Sequence, residues 1–197
     1  DTATVEIKVN DGKEIKNKNP RDAIKKGICM VNEDRKNYGL CLLRSIRENI
    51  SLPNLPEKQK GLLINQKREI KECQEAADKL TVKAASIEHN GFSLSGGNQQ
   101  KVFLARWLNT EADILLLDNP TQGIDVGAKA EIYKLILKLA DTGKTILINT
   151  LEIPELAKVA DYCAVFYEGT VIKVLKHEEI DEKTVMLYST NAAQKGE

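Results

Sequence analysis

Four apolar residues, Ile114 to Leu117, run without a break into Asp118-Asn119-Pro120. This short stretch restricts the fold more tightly than any other in the chain. A run of that length, closed by a turn, reads as a buried strand, and buried strands of this kind belong to parallel sheets. The segments that follow alternate in the same sense. Ile132, Leu135, Ile136 and Leu139 stripe one face of a helix that Thr142-Gly143 ends. Thr145 to Ile148 is a second apolar strand, Pro154 suits a helix start, and Ala164 to Phe166 is a further strand. Glu168-Gly169 then turns into a last strand, Val171 to Leu175. This alternation predicts an α/β fold on a parallel sheet.

The upstream half reads differently. Val5 to Val9 alternates apolar with charged residues and meets Asp11-Gly12, the pattern of a half-buried strand and a tight turn. Asn19-Pro20 starts a short helix through Lys26, Gly27 stops it, and Ile28 to Val31 forms a compact strand before the polar turn Asn32 to Lys36. From Leu42 to Glu88 the pattern is helical, with Ile70, Cys73, Ala77 and Leu80 on one face, and Pro53 and Pro56 separating this long helix from a shorter one. The surplus of charge from Glu57 to Lys79 reads as a solvated helix face. Val102, Ala105 and Leu108 recur on one side of a helix from about Asn98 to Leu108.

Composition excludes several classes of function. At 197 residues and 42% apolar content the chain suits one globular domain. Lys+Arg and Asp+Glu both total 29, so it lacks the basic field that duplex nucleic acid needs, and no nucleic-acid partner is expected. Cys29, Cys41, Cys73 and Cys163 form no CxxC pair, which fits reduced thiols better than a disulfide frame or zinc site. With His89 and His177 alone, no His-rich metal site is expected. No apolar run is long enough to span a bilayer, and no charged leader precedes one at the N-terminus. The expectation is a soluble chain that meets a membrane only through a partner.

Two segments carry chemistry. Ser95-Gly96-Gly97 before a helix allows close backbone approach of an anion to the helix start, although an isolated SGG is more often an ordinary Ser-capped helix start. Asp118 stands at the carboxyl end of a buried strand, where doubly wound sheets place ligands.

In order and spacing, LSGGNQQK (Leu94 to Lys101), ILLLDNP (Ile114 to Pro120) and Gly123-Ile124-Asp125 resemble the signature motif, Walker B strand and D-loop of ATP-binding-cassette (ABC) ATPases of the sugar-importer type. Asn32 to Lys36 with Tyr38-Gly39-Leu40 resembles the EDRKxxGL segment of the same group, which puts Glu33 at the place of the Q-loop glutamine; a charged surface turn is the alternative. The resemblance implies a P-loop NTPase-like ABC ATPase domain: a parallel sheet with flanking helices and a helical subdomain at about 42–93. No Gly-rich Lys-Ser/Thr phosphate loop occurs in the chain, so the N-terminal P-loop strand is absent from it. It further implies a partial nucleotide-binding domain over 1–188 with a loose tail at 189–197.

The same resemblance implies ATP and Mg²⁺ as ligands. Ser95, Gly96, Gly97, Asn98 and Gln99 would contact ATP held by a second cassette. Glu33, Asp118, Asn119 and Asp125 would line nucleotide sites, Asp118 acting on the metal. Two positions depart from the family pattern. Asn119 stands where a catalytic Glu is usual, and a neutral amide has no basicity near pH 7. Leu151 aligns with a switch His, although a shift of one residue is open. No catalytic residue is therefore assigned, and turnover at this chain's own site is expected to be crippled.

The implied function is energy coupling in an importer of sugars or related solutes, on the cytoplasmic face of the membrane through permease subunits. Gly39 to Leu52 would face the permease, with Leu40, Leu42, Leu43, Ile46 and Ile50 either docking surface or core. A nucleotide-independent docking or regulatory module is the alternative function. Without a phosphate-loop strand between Thr145–Ile148 and Ala164–Phe166, two strand edges would lie open, so oligomerisation or strand exchange is expected.

Overall fold

The computed structural model describes residues 7–8, 14–60, 63–110 and 112–192. In chain order the strands are β1 (Ile7–Lys8), β2 (Glu14–Ile15), β3 (Ile28–Val31), β4 (Gln59–Lys60), β5 (Leu63–Ile64), β6 (Ile114–Asp118), β7 (Thr145–Asn149), β8 (Tyr162–Tyr167) and β9 (Thr170–Lys176). The helices are α1 (Pro20–Lys25), α2 (Ile46–Ser51), α3 (Gln66–Lys79), α4 (Gly96–Leu108), α5 (Val126–Asp141), α6 (Ile153–Leu156) and α7 (Glu182–Ser189). The strand expected at Val5 to Val9 is present at Ile7–Lys8, paired antiparallel with β2; its flanks and the Asp11-Gly12 turn lie outside the described residues.

Strands β3, β6 and β7 form a parallel sheet in the order β3-β6-β7. Val31 lies opposite Leu117 and Leu117 opposite Ile148, and one step further Asp118 faces Asn149. Alternation sends Cys29, Val31, Leu115 and Leu117 into the main core with Val102, Leu104, Ile132 and Ile136 of α4 and α5. The opposite face carries the row Met30, Leu116 and Leu147, of which Met30 is 49% and Leu147 53% exposed. The reading of Ile114 to Leu117 as fully buried is thus corrected: the described residues close one face of the strand and leave the other half open.

α4 is the central element, packing on α2, α3, α5 and β3. Its apolar stripe was legible, yet Gln100, Lys101 and Arg106 on its polar side are buried as well. Lys101 is held between the Thr81 carbonyl (3.2 Å) and Glu131 of α5 (2.7 Å), and Arg106 lies under the helical insertion. The Arg106 guanidinium donates to the carbonyl of Asn49 (2.7 Å), to its side-chain oxygen (2.9 Å) and to the Gly39 carbonyl. Burial pulls its pKa down to about 10.

The insertion opens with α2, whose first turn is closed by a capping box between Ser45 and Glu48. Pro53 and Pro56 sit in a 3₁₀ turn, Leu52–Lys58, and a hairpin of β4 and β5 interrupts what reads in sequence as continuous helix. α3 then returns along α2. Leu40, Ile46 and Ile50 prove to be core, each contributing about 1.5–3 kcal/mol by burial, whereas Leu43 is 86% exposed. The charged stretch is not wholly solvated either. Lys58 is fully buried with its Nζ 2.5 Å from Glu72, and buried Glu69 accepts from Ser51 (2.7 Å) and Arg47 (2.9 Å).

β8 and β9 form an antiparallel hairpin whose turn, Glu168-Gly169, has φ of 48° and 76°, the sign a two-residue type I′ turn needs. With α6 and α7 it builds a second small core around Cys163, Val165, Leu175, Ile180 and Val185. α7 has no counterpart in the sequence reading. It ends at Ser189, the first residue of the expected tail, and 193–197 lie outside the described residues. Among the described residues β7 pairs only with β6, and β8 only with β9.

Candidate functional site

The register of the sheet gathers Glu33, Asp118, Asn119 and Asn149 at the carboxyl ends of three neighbouring parallel strands. The Asp118 carboxylate accepts from Asn149 Nδ2 at 2.8 Å. Asn119 has φ 41°, left-handed backbone in which Asn is among the best-tolerated residues. Its N–H donates to the Asn149 carbonyl (2.8 Å) and its side-chain amide to Glu33 Oε2 (2.9 Å). Glu33 in the turn after β3 and Asn119 after β6 are therefore hydrogen-bonded to each other as carboxylate and amide. Two carboxylates here would repel; an amide and a carboxylate attract.

Ser95 caps α4, its Oγ accepting from the backbone N–H (3.4 Å) and side-chain amide (3.0 Å) of Asn98. Asn98 Oδ1 in turn accepts from the N–H of Lys83 (2.8 Å). The glycines are required by the chain itself. A Cβ on Gly97 would stand 2.6 Å from Ala128 Cβ, and one on Gly96 2.9 Å from Arg35 Nη2. Gln99 is on the inner side of α4, its amide donating to the carbonyls of Gly91 (3.2 Å) and Leu94 (3.3 Å). Its side chain braces that turn, while Ser95 remains exposed. Asp125 caps α5, accepting from Ala128 N–H at 2.9 Å.

The loop from Asn119 to Asp125 joins these two groups and is tied on both flanks. Thr121, buried, donates to Glu152 Oε2 at 3.0 Å, and Lys129 pairs with the other oxygen of Glu152. From the other side Arg35 donates to the carbonyls of Gln122 (2.6 Å) and Gly123 (2.9 Å). Burial lowers the Arg35 pKa, with the Asp34 charge opposing. Sequence reading missed Arg35, Thr121 and Glu152: a polar residue in a polar turn carries no mark of burial. Leu151 is 89% exposed and its side chain offers no donor.

At the strand ends the donors are carboxylate and amide oxygens, the hard set that Mg²⁺ prefers, and a Mg²⁺ bound with substrate phosphates needs only one or two carboxylates. Asp118 and Glu33 meet that requirement. Among the described residues no group of three or more acidic, His or Cys side chains is placed to hold a metal by itself. The residues thus fit a metal carried in on a phosphate ligand.

Residues 3–122 match the ABC transporter family. The chain belongs to that family. Among ABC relatives, the ribose import ATP-binding protein of Halalkalibacterium halodurans is 44% identical over 180 residues, covering 91% of this chain and 36% of the relative. The xylose import ATP-binding protein of Thermoanaerobacter pseudethanolicus is 42% identical over 185 residues, 94% of this chain and 36% of that protein. The chain thus spans about a third of the length of these relatives. The fold is that of an ABC cassette. The ADP conformation of the ATP-binding cassette MJ1267 superposes with a TM-score of 0.74 at 22% identity, covering 90% of this chain and 74% of that one. A dimeric post-hydrolysis state of MJ0796 bound to ADP and Pi gives 0.69 at 24% identity, covering 87% and 73%. No described helix is long and apolar enough to cross a membrane.

Proposed function

We propose that the chain is an ATP-binding, energy-coupling domain of an ABC importer for sugars or related small solutes, held on the cytoplasmic face of the membrane by permease subunits. Its relatives are import ATP-binding proteins by name, which supports the solute class. The observation that carries the reading is the built start of α4: Ser95 is exposed at the cap, and Gly96 and Gly97 are closed against Arg35 and Ala128. In this reading Ser95 to Asn98 and Asp125 face ATP held by a second cassette, Gln99 bracing the turn from behind. The region at about 42–93 is the helical subdomain that meets the permease.

The chain's own site, by the same proposal, holds Mg²⁺ through Asp118 and turns over little. When bound, Mg²⁺ and ATP supply the phosphoryl group and neutralise its charge. Asn119 holds Glu33 in place and accepts no proton, and Leu151 leaves the phosphate side without a donor. The purified chain should release no phosphate from MgATP above background. Magnesium-dependent release that Ser95→Arg abolishes would overturn this.

A docking module without nucleotide chemistry is the second reading, favoured by the engaged Asn119 and the exposed Leu151. ATP turnover of the full transporter carrying Ser95→Arg separates the two. A large loss supports the signature role; unchanged turnover supports the docking module.

A further inference from the structure

Arg35 is 5% exposed, yet none of its hydrogen bonds goes to a carboxylate. Its neighbour Asp34 is turned to Asn37, accepting from that residue's N–H (3.1 Å) and amide (2.8 Å). The buried Nε of Arg35 has no partner among the described residues. A cation in this setting is costly to desolvate, and an apolar residue of similar volume is often at least as stable in such a place. Stability alone therefore does not account for it, and departures of this kind concentrate at functional sites.

What the guanidinium touches is specific. Its two terminal nitrogens bind consecutive carbonyls, Gln122 and Gly123, and the loop presents both because Gly123 adopts φ 65°. The same Nη2 lies where a Cβ on Gly96 would fall, 2.9 Å away, and the Gly123 carbonyl lies 3.3 Å from that point. One planar group thus ties the turn after β3 to the loop after β6 and fills the space beside the first residue of α4. The far end of the turn is anchored separately: a Cβ on Gly39 would meet Phe103 at 2.6 Å, and Arg106 binds the Gly39 carbonyl.

We propose that Arg35 is a positioning residue that locks the loop Asn119–Asp125 to the start of α4, so that Ser95 and Asp125 present one surface. Its functional meaning rests on the signature role proposed above, but the lock itself does not. The fork geometry matters as well as the charge, since a lysine ammonium keeps the charge but not the rigid pair of donors.

Amide hydrogen exchange on the full chain tests it without nucleotide. The probes are the N–H of Gln122, bonded to the Asn119 carbonyl, of Ala128, bonded to Asp125, and of Gln99, bonded to the Ser95 carbonyl. Leu135 and Ile136, inside α5, are the internal reference. Arg35→Met should speed exchange at all three probes about ten-fold or more, the range for losing hydrogen bonds to a charged group, and leave the reference unchanged. Arg35→Lys should fall between the parent and Arg35→Met. Equal acceleration at probes and reference means a merely structural arginine and overturns the proposal. So does acceleration at Gln122 without Gln99, or no rescue by lysine. If Arg35→Met does not fold, Arg35→Lys decides alone: local acceleration supports the lock, uniform acceleration or none refutes it. Because no nucleotide is present, these outcomes leave the ATP reading to its own test.

Discussion

Asn119 joins backbone, charge and chemistry in one residue. Its left-handed conformation favours Asn, and its amide satisfies Glu33, so introducing a carboxylate by Asn119→Glu should carry two penalties. Glu in that backbone region costs on the order of 1 kcal/mol, and the facing carboxylate adds a screened repulsion of about the same size. Urea unfolding at pH 7 should show a loss of about 1–2 kcal/mol, partly recovered in the double variant Glu33→Gln/Asn119→Glu. Equal stability of Asn119→Glu and the parent would refute the pairing. Glu33 and Asn119 were both singled out in sequence. Their contact was not, because eighty-six positions separate them and only the pairing of β3 with β6 brings them together.

At the scale of elements, the helical insertion shows where a charge pattern misleads. Lys58 and Glu69 lie in a stretch whose composition reads as solvated, but α2 packing on α3 encloses both. Glu72 is the carboxylate bonded to the buried Lys58 ammonium, so Glu72→Ala should destabilise by about 3–5 kcal/mol, the cost of leaving a buried charge unpaired. A loss under 1 kcal/mol in a thermal or urea melt would show that water reaches Lys58. The hydrogen bonds from Lys58 and then Arg68 hold the Glu72 pKa below its ordinary 4.5. The linked stability is therefore present above about pH 4.5 and is lost as pH falls through the lowered value. Both ends of α4 and the C-terminal end of α5 were legible to within about two residues, whereas the start of α5 at Val126 was not read. The β4–β5 hairpin and α7 were not, since short elements take their conformation from what they pack on.

For the whole molecule the open strand edges dominate. Among the described residues β7 pairs on one side only and β8 pairs only with β9, and the half-open row Met30, Leu116 and Leu147 crosses the sheet from β3 to β7. Light scattering of the purified chain should report dimers or larger species whose population grows with concentration, as unpaired edges recruit strands. A concentration-independent monomer would contradict this. The sequence by itself determined the α/β class, the family, the parallel strands and the identity of the residues at their ends, because periodicity, turn chemistry and linked motifs are local properties. Only the tertiary structure decided which of those residues meet. Pairing β3 beside β6 sets Glu33 against Asn119. The packing of α4 between the insertion and the sheet buries Arg106. The close approach at Gly96 leaves room for the Arg35 guanidinium at the start of α4. Burial and hydrogen-bond partners depend on which segments come together, and no local pattern encodes that.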